Sequence, residues 1–490
     1  MRRCVIHFTV LAVFLAVESL PARAQTTSAS TGSGSTVTSS STSGQSTAAA
    51  QGQNSFLGSV PAQPVPGVLP LSLKDAITRG LKQNLGLLLS SADVGSARGE
   101  RWIQLSALLP HVVASPYVDV SQVDLAEFGF NLHIPGFTVP SIVGPFSYFD
   151  ARANVTQTIF DWKSINKARS ASQSLKSAQY TYKDARDLVV LVTGLQYLQA
   201  IADQARVDTA AAQVQTAQAL YDQATDQFKA GTSPAIDATR AHVELQTREQ
   251  QLIQAKNDFA IQKLTLARVI GLAPGQEFDL TDKSPYEPFE GIGLDEALKR
   301  AYASRSDFQA ALADVRAAEY SRQAALAGYY PSISLSGDYG VAGIHPATNS
   351  HGVFDARGTL TIPIFQGGSV HGDVLQADAQ LTQSRERLEN LRGQIDADVR
   401  TSLLNLESSA EQVVVAQSNI DLAEQTLTQS IDRFKAGVTD SVEVVQSQEQ
   451  VASAHEQYIS SLFNFNYAKI SLARAMGMAE EGVKEYFKGK

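Results

Sequence analysis

The chain is one sequence written twice, and that repeat limits its fold more than any other feature. Leu73-Lys74-Asp75-Ala76-Ile77 returns as Leu294-Asp295-Glu296-Ala297-Leu298, and Leu109-Pro110 returns as Tyr330-Pro331, both 221 residues later. Phe149-Asp150-Ala151-Arg152 returns unchanged as Phe354-Asp355-Ala356-Arg357 after 205 residues. Phe228-Lys229-Ala230-Gly231 returns unchanged as Phe434-Lys435-Ala436-Gly437, and Leu266-Ala267-Arg268 with Gly271 returns as Leu472-Ala473-Arg474 with Gly477, both after 206. Offsets this constant mark a tandem duplication. They replace the three unrelated domains that 490 residues would otherwise suggest. The repeats run over 69–272 and 294–478, joined by a link at 273–293 and followed by a C-terminal tail at 479–490.

Each copy has the same internal order. A helical segment (Leu73 to Leu108; Leu294 to Gly328) ends at a proline. Two alternating stretches follow, predicting strands at about 111–123 and 147–160, then at about 331–342 and 353–365. Ile333, Leu335, Tyr339 and Val341 alternate with Ser332, Ser334, Ser336 and Asp338. Phe149, Ala151, Val155 and Ile159 alternate with Asp150, Arg152, Asn154, Thr156 and Thr158. Period two with one apolar and one polar face means half-buried strands. At this length it also fits a transmembrane barrel, apolar outward and polar inward. Asp150, Arg152, Asp355 and Arg357 fall on the polar face and would line the lumen of such a barrel.

Two long proline-free segments, 161–230 and 367–436, carry the narrow apolar seam of a coiled coil. Leu175, Ala178, Tyr182, Ala185, Val189 and Val192 recur at steps of three and four, as do Leu388, Leu391, Ile395 and Val399. Both segments end at glycines suited to a left-handed cap, Gly231 and Gly437, with Lys229 and Lys435 in the last turn. A second helix then restarts, over 233–271 and 440–477. Ser233-Pro234 reads as N-cap and first residue, and Asp440 with Glu443 as a capping box. At ~1.5 Å per residue the long helix spans roughly 100 Å, and the two shorter helices of a copy, stacked end to end, span about the same. Long helices alternating with stacked pairs make a cylinder. Four strands are too few to close a barrel, because transmembrane barrels start at about eight. The chain therefore oligomerises, two copies giving eight strands and three giving twelve.

Composition narrows the partners. A net charge of −9 and a pI of about 5.5 argue against nucleic acid, and a single cysteine excludes a disulfide scaffold or a cysteine-rich zinc site. Arg2 and Arg3, the apolar stretch Val5 to Val17 and Ala22-Arg23-Ala24 predict a secretory signal at 1–24; a short membrane anchor is the alternative. The Ser/Thr/Gly-rich 25–68 reads as a flexible tail. Beyond the signal no apolar run reaches the length of a transmembrane helix. His345 and His351 lack a carboxylate or cysteine companion and read as loop residues. No catalytic, metal or cofactor constellation is expected.

These features resemble the outer-membrane efflux protein (TolC) family from Leu71 to Met478. The likeness rests on the two-copy helix–strand–strand–helix–helix order and on the junction Pro363-Ile364-Phe365-Gln366-Gly367-Gly368. It rests also on the two Phe-Lys-Ala-Gly turns, each followed six residues after its glycine by a carboxylate, Asp237 or Glu443. The resemblance implies a mainly α fold with β, a helical barrel plus four transmembrane strands per chain, closing as a twelve-stranded barrel in a homotrimer. It implies a barrel in outer-membrane lipid, a tunnel through the periplasm, and docking to an inner-membrane pump through a periplasmic adaptor. Drugs, toxins and secreted proteins are the cargo classes. The link at 273–293 would lie in the family's equatorial belt.

The resemblance also assigns sites. Glu443 stands where the family narrows its periplasmic entrance with a carboxylate, and three copies would form an acidic ring. A purely capping role with Asp440 is the competing reading. Three residues on, where a second acid is frequent, this chain has Gln446; the counterpart of Glu443 in the first copy is Asp237. The family's tyrosine–arginine latch positions hold Phe434 and Thr439 here. The turns Ala230-Gly231-Thr232 and Ala436-Gly437-Val438 match its adaptor-docking tips. The rival to a conduit is a trimeric coiled-coil surface stalk or adhesin anchored by a small barrel.

Overall fold

The computed structural model describes residues 55–129, 133–134, 137–138, 140–282, 286, 288, 291–344, 350–439 and 441–486. The expected signal, the first part of the expected tail, His345 and Asp440 lie outside the described residues. Residues 55–68, expected as flexible tail, are instead held by the repeats. The Val60 and Ala62 amides donate to the carbonyls of Gln83 and Gly271 (both 2.9 Å), and the Val65 amide donates to the Gln276 side chain. This stretch then enters β1 (Leu69–Leu71), which pairs in parallel with β6 (Phe278–Leu280) of the inter-repeat link. Phe56 adds an apolar anchor by packing against the cluster of Leu87, Ala185 and Val189.

The helical segment that opens each copy is broken once. In the first copy α1 (Leu73–Gln83) and α2 (Leu85–Ser106) meet at Asn84, whose ψ of 129° takes it out of the helix. The buried Asn84 side chain accepts from the Gly86 amide at 3.0 Å and donates to the Phe56 carbonyl at 2.7 Å. It thus serves as N-cap of α2. In the second copy α5 (Leu294–Ser304) and α6 (Ser306–Leu326) meet at Arg305, 221 residues after Asn84, with ψ 119°. Arg305 makes no cap; its guanidinium reaches Asp307 at 2.6 Å and Asp398 at 2.9 Å. Burial pushes Asp307 up, but Arg305 outweighs it and holds the carboxyl below the usual range.

From α2 the chain enters β2 (His111–Asp124), passes a short clip of β3 (His133–Ile134) and β4 (Phe137–Thr138), and returns along β5 (Ile142–Phe160). The second copy contributes β7 (Ser332–Gly343) and β8 (Ser350–Thr361). The four long strands form one antiparallel sheet in the order β2-β5-β7-β8. Strand β8 stops at Thr361, short of the expected 365, because Pro363 has no N–H for the ladder. Gly367 and Gly368 then turn the chain at φ +59° and +85°, so the long helix starts at Ser369 and not at 367.

The long helices are α3 (Trp162–Lys229, 68 residues) and α7 (Ser369–Lys435, 67 residues), each about 100 Å. They are followed by α4 (Ala235–Ile270) and α8 (Ser441–Ala475), and the described chain ends in α9 (Ala479–Tyr486). Helix α3 packs on α2 and α6 over its first half and on α4 and α8 over its second. Its seam buries Ala210, Ala217 and Ala224 at seven-residue steps; α7 buries Val399, Leu406, Val413 and Ile420 the same way. The large core residues gather at mid-height, where the short helices abut. Val190, Tyr197, Leu266, Ile270 and Phe278 form one cluster, and Phe308, Ile395, Val399, Phe465 and Leu472 its counterpart.

Both clusters are closed by a glycine set against the break in the opening helix. Gly271 (φ +72°) leaves no room for a Cβ, which would meet the Gln83 Cβ at 2.4 Å. Gly477 (φ +71°) stands 206 residues later, where a Cβ would meet the Arg305 backbone at 2.7 Å. Gly477→Ala is therefore expected to destabilise the fold by about 1–3 kcal/mol, from left-handed strain and from displacing Arg305. Thermal unfolding followed by circular dichroism should show a lower midpoint; an unchanged midpoint would contradict this packing.

Candidate functional site: a charged sheet face and two helix turns

The sheet register sorts side chains by charge. Ser115, Tyr117, Asp150, Arg152, Asn154, Asp338, Asp355 and Arg357 share one face, since Arg152 stands opposite Ser115 and Asp338 opposite both Asn154 and Asp355. The other face carries Val112, Val118, Val120, Leu335, Tyr339, Phe354 and Leu360, all exposed. An antiparallel sheet in water turns its apolar face inward. This one turns it outward, the polarity of a barrel wall in lipid.

The charged face has a centre. Asp150, only 1% exposed, takes two hydrogen bonds from the Arg152 guanidinium and one from the Tyr148 hydroxyl at 3.1 Å. The third arm of the guanidinium reaches Asp338 of the other copy at 3.0 Å. Gly340, opposite Arg152, makes the space: a Cβ there would lie 2.7 Å from the Arg152 Cγ. The expected lumen residues thus divide. Asp150 and Arg152 lock together with Asp338, whereas Asp355 and Arg357 form a looser, exposed pair at 3.6 Å. Asp338 was visible in sequence as a polar alternation position, but its pairing across the repeats was not.

The two helix turns share one backbone and differ in side chains. At each, the glycine amide bonds back to the phenylalanine carbonyl and the next amide to the carbonyl one residue earlier. Those bonds are Gly231 to Phe228 and Thr232 to Gln227, then Gly437 to Phe434 and Val438 to Arg433. Both glycines have positive φ, +74° and +70°, completing a Schellman cap. Ala230, Gly231, Ala436, Gly437 and Val438 are exposed. Phe434 is 7% exposed, its counterpart Phe228 47%.

The carboxylates after these turns have diverged. Glu443 accepts from the Thr439 hydroxyl, lies 3.4 Å from Arg433, and keeps part of its surface open beside the exposed Gln446. Asp237, expected beside it at the entrance, is instead buried at 7%. It accepts from Ser233 at 2.9 Å and from Ser441 of the other copy at 2.8 Å. It ties the two helix pairs together and does not face solvent. Ser233 is consequently not the N-cap expected of it; Pro234 holds that position with no side-chain bond.

An exposed apolar sheet face, an ionic face opposite it and helices far longer than any membrane span define the protein as a channel subunit with an extended helical extension. The chain belongs to the outer membrane efflux protein family, whose pattern matches residues 77–272 and 297–478, one segment per repeat. It is 24% identical over 405 residues to the pyoverdine export outer membrane protein OpmQ of Pseudomonas aeruginosa, covering 80% of this chain and 83% of that one. It is 24% identical over 353 residues to the outer membrane protein TolC of Escherichia coli, covering 68% of this chain and 70% of that one. Among solved structures, the CmeC outer membrane channel of Campylobacter jejuni superposes with a TM-score of 0.72 at 17% identity, covering 84% of this chain and 88% of that chain. VceC of Vibrio cholerae gives 0.70 at 17% identity, covering 83% and 96%. The family places the protein in the outer membrane as an efflux channel and sets aside the stalk reading.

Arg152 pairs with both Asp150 and Asp338 and balances their charge. Arg152→Gln is expected to leave those carboxylates uncompensated and to move the reversal potential of the open pore toward cation selectivity in a salt gradient. A reversal potential equal to that of the parent would place this cluster away from the conduction path.

Proposed function

We propose that three copies of the chain close their sheets into one twelve-stranded barrel and their helices into one tunnel. That tunnel takes cargo passively from an inner-membrane pump through a periplasmic adaptor. The observation that carries this reading is the sheet: four strands with an apolar outer face and two open edges, β2 and β8, cannot stand alone in lipid. The exposed turns at Ala230-Gly231 and Ala436-Gly437-Val438 are the adaptor-docking tips. Glu443 with Gln446 rims the periplasmic entrance, and Asp150, Arg152, Asp355 and Arg357 line the barrel. No step of covalent chemistry is required of the chain.

The entrance is electrostatic in this reading. Glu443 faces Arg433 at 3.4 Å, so its ring is partly neutralised from within each chain. Glu443→Ala removes three negative charges and leaves three arginines at the constriction. Single-channel recording in a planar bilayer is expected to show higher conductance or weaker block by multivalent cations. Current traces indistinguishable from the parent would remove Glu443 from the entrance. A purified protein that forms no SDS-resistant trimer and no pore would overturn the conduit itself.

The docking turns separate from the pore. Gly437→Trp places a bulky side chain at φ +70° on an exposed turn with nothing within 4 Å of a Cβ. Export by the assembled pump is expected to fail while trimer yield stays at the parental level. Loss of the trimer, or intact export, would contradict the assignment.

A further inference from the structure

Between α2, α3 and α6 lies a cleft of about 610 Å³, well below the barrel and unconnected with the turns. Among the described residues its walls carry four cations, Lys176, Lys183 and Arg186 from α3 and Arg316 from α6, and no carboxylate. In a chain with 49 acidic and 40 basic residues that imbalance is local and one-sided. Lys176 and Arg316 have no ion-pair or hydrogen-bond partner among the described residues. Lys183 lies over the Tyr180 ring at 5.5 Å, and Arg186 is held at one edge by Glu480 at 2.8 Å. Of the aspartates beside these cations on the same helix, Asp184 is taken by Arg474 at 2.6 Å and Asp187 is buried.

The spacing is that of one helix stripe. Lys176 and Lys183 are seven residues apart, two turns or about 10 Å along α3. Arg316 faces them from α6, which runs antiparallel: Ser170 bonds the Ala317 carbonyl, and further along α3 Asp184 lies near Asp307. Like charges gathered without counter-ions are unfavourable in the free chain and become favourable when an anion enters. The rest of the wall combines apolar and aromatic surface, Val94, Leu312, Ala313 and the Tyr180 and Tyr182 rings, with the amides of Gln173, Gln179 and Gln309.

We propose that this cleft binds a soluble, multivalent anion built on a flat apolar body, one carrying two or three sulfonate, phosphate or carboxylate groups. The volume lies in the range of sites for drug-sized ligands. Lipid headgroups are out of reach. Lys176 is fourteen residues past the first residue of α3, about 20 Å from the sheet, beyond the few ångströms of a headgroup layer. Helices α2 and α6 both pack against α3 of the same chain, so each copy holds its own site.

The test uses the purified full-length oligomer and a hydroxypyrene trisulfonate dye, read by fluorescence anisotropy. Saturable binding at one dye per chain is expected, weakening as salt is added. The double variant Lys176→Gln with Arg316→Gln is expected to raise Kd at least about tenfold, the size of losing two charge-assisted contacts. Lys256→Gln, an exposed lysine on α4, should leave Kd unchanged, with circular dichroism melts confirming that every variant is folded. Inorganic tripolyphosphate, which has the charge without the ring, should need at least about tenfold more to displace the dye. Non-saturable binding, or an equal Kd in the double variant, overturns the site. Equal competition by tripolyphosphate overturns the apolar part of the ligand, and displacement by phosphatidylglycerol vesicles overturns its solubility.

Discussion

A strand that crosses lipid has to satisfy its backbone on both edges, and that requirement governs this molecule. Water is absent from the hydrocarbon, so each open N–H or C=O costs several kcal/mol, and only a closed barrel removes the edge. The sheet here ends at β2 on one side and β8 on the other. Both end strands carry apolar residues outward, including Val112, Val118, Phe354 and Leu360. The sheet is thus incomplete in the single chain by its own chemistry. Copies that complete it also bring their helices into one ring, because Asp161 caps α3 directly after β5 and the Gly367-Gly368 turn launches α7 soon after β8.

The helices answer a second constraint, that of matching lengths. One unbroken helix of 68 residues lies beside two shorter ones that meet near its middle, and the meeting point needs the largest buried side chains. Elsewhere the buried seam is mostly alanine, serine and single aliphatics. The mid-height clusters therefore bear most of the apolar burial. They are also where Gly271 and Gly477 let a helix end pass against the break at Gln83 or Arg305. The same level holds the ordered strand Leu69–Leu71 and its partner Phe278–Leu280.

Local periodicity made the strands, the long helices and their glycine caps legible, because each repeats within one or two turns of chain. What it hid are contacts between distant residues. The break at Asn84 depends on the Phe56 carbonyl, and that at Arg305 on Asp398, partners that no pattern in the opening helix announces. The polar-face residues Asp150 and Arg152 were recognisable from alternation, yet Asp338 joins them only through the register of β5 against β7. Asp237 looked like the twin of Glu443 because the repeat aligns them. Its burial follows from Ser441, on a helix 204 residues away.

That last pair shows what the duplication permits. Two copies with one backbone must occupy different surroundings, since a pseudo-repeat in a single chain packs α3 against α8 but offers no second partner of that kind to α7. The first copy's turn supplies an exposed Phe228 and a buried Asp237, while the second supplies a buried Phe434 and a part-open Glu443. The serines at 430, 441 and 447 that bind around Glu443 and Asp237 are alanines at 224, 235 and 241 in the first copy. Hydroxyls on one copy and methyls on the other let the two helix pairs interlock without competing for the same bonds. Divergence at a few side chains on a conserved Schellman turn thus separates a structural clamp from a solvent-facing charge.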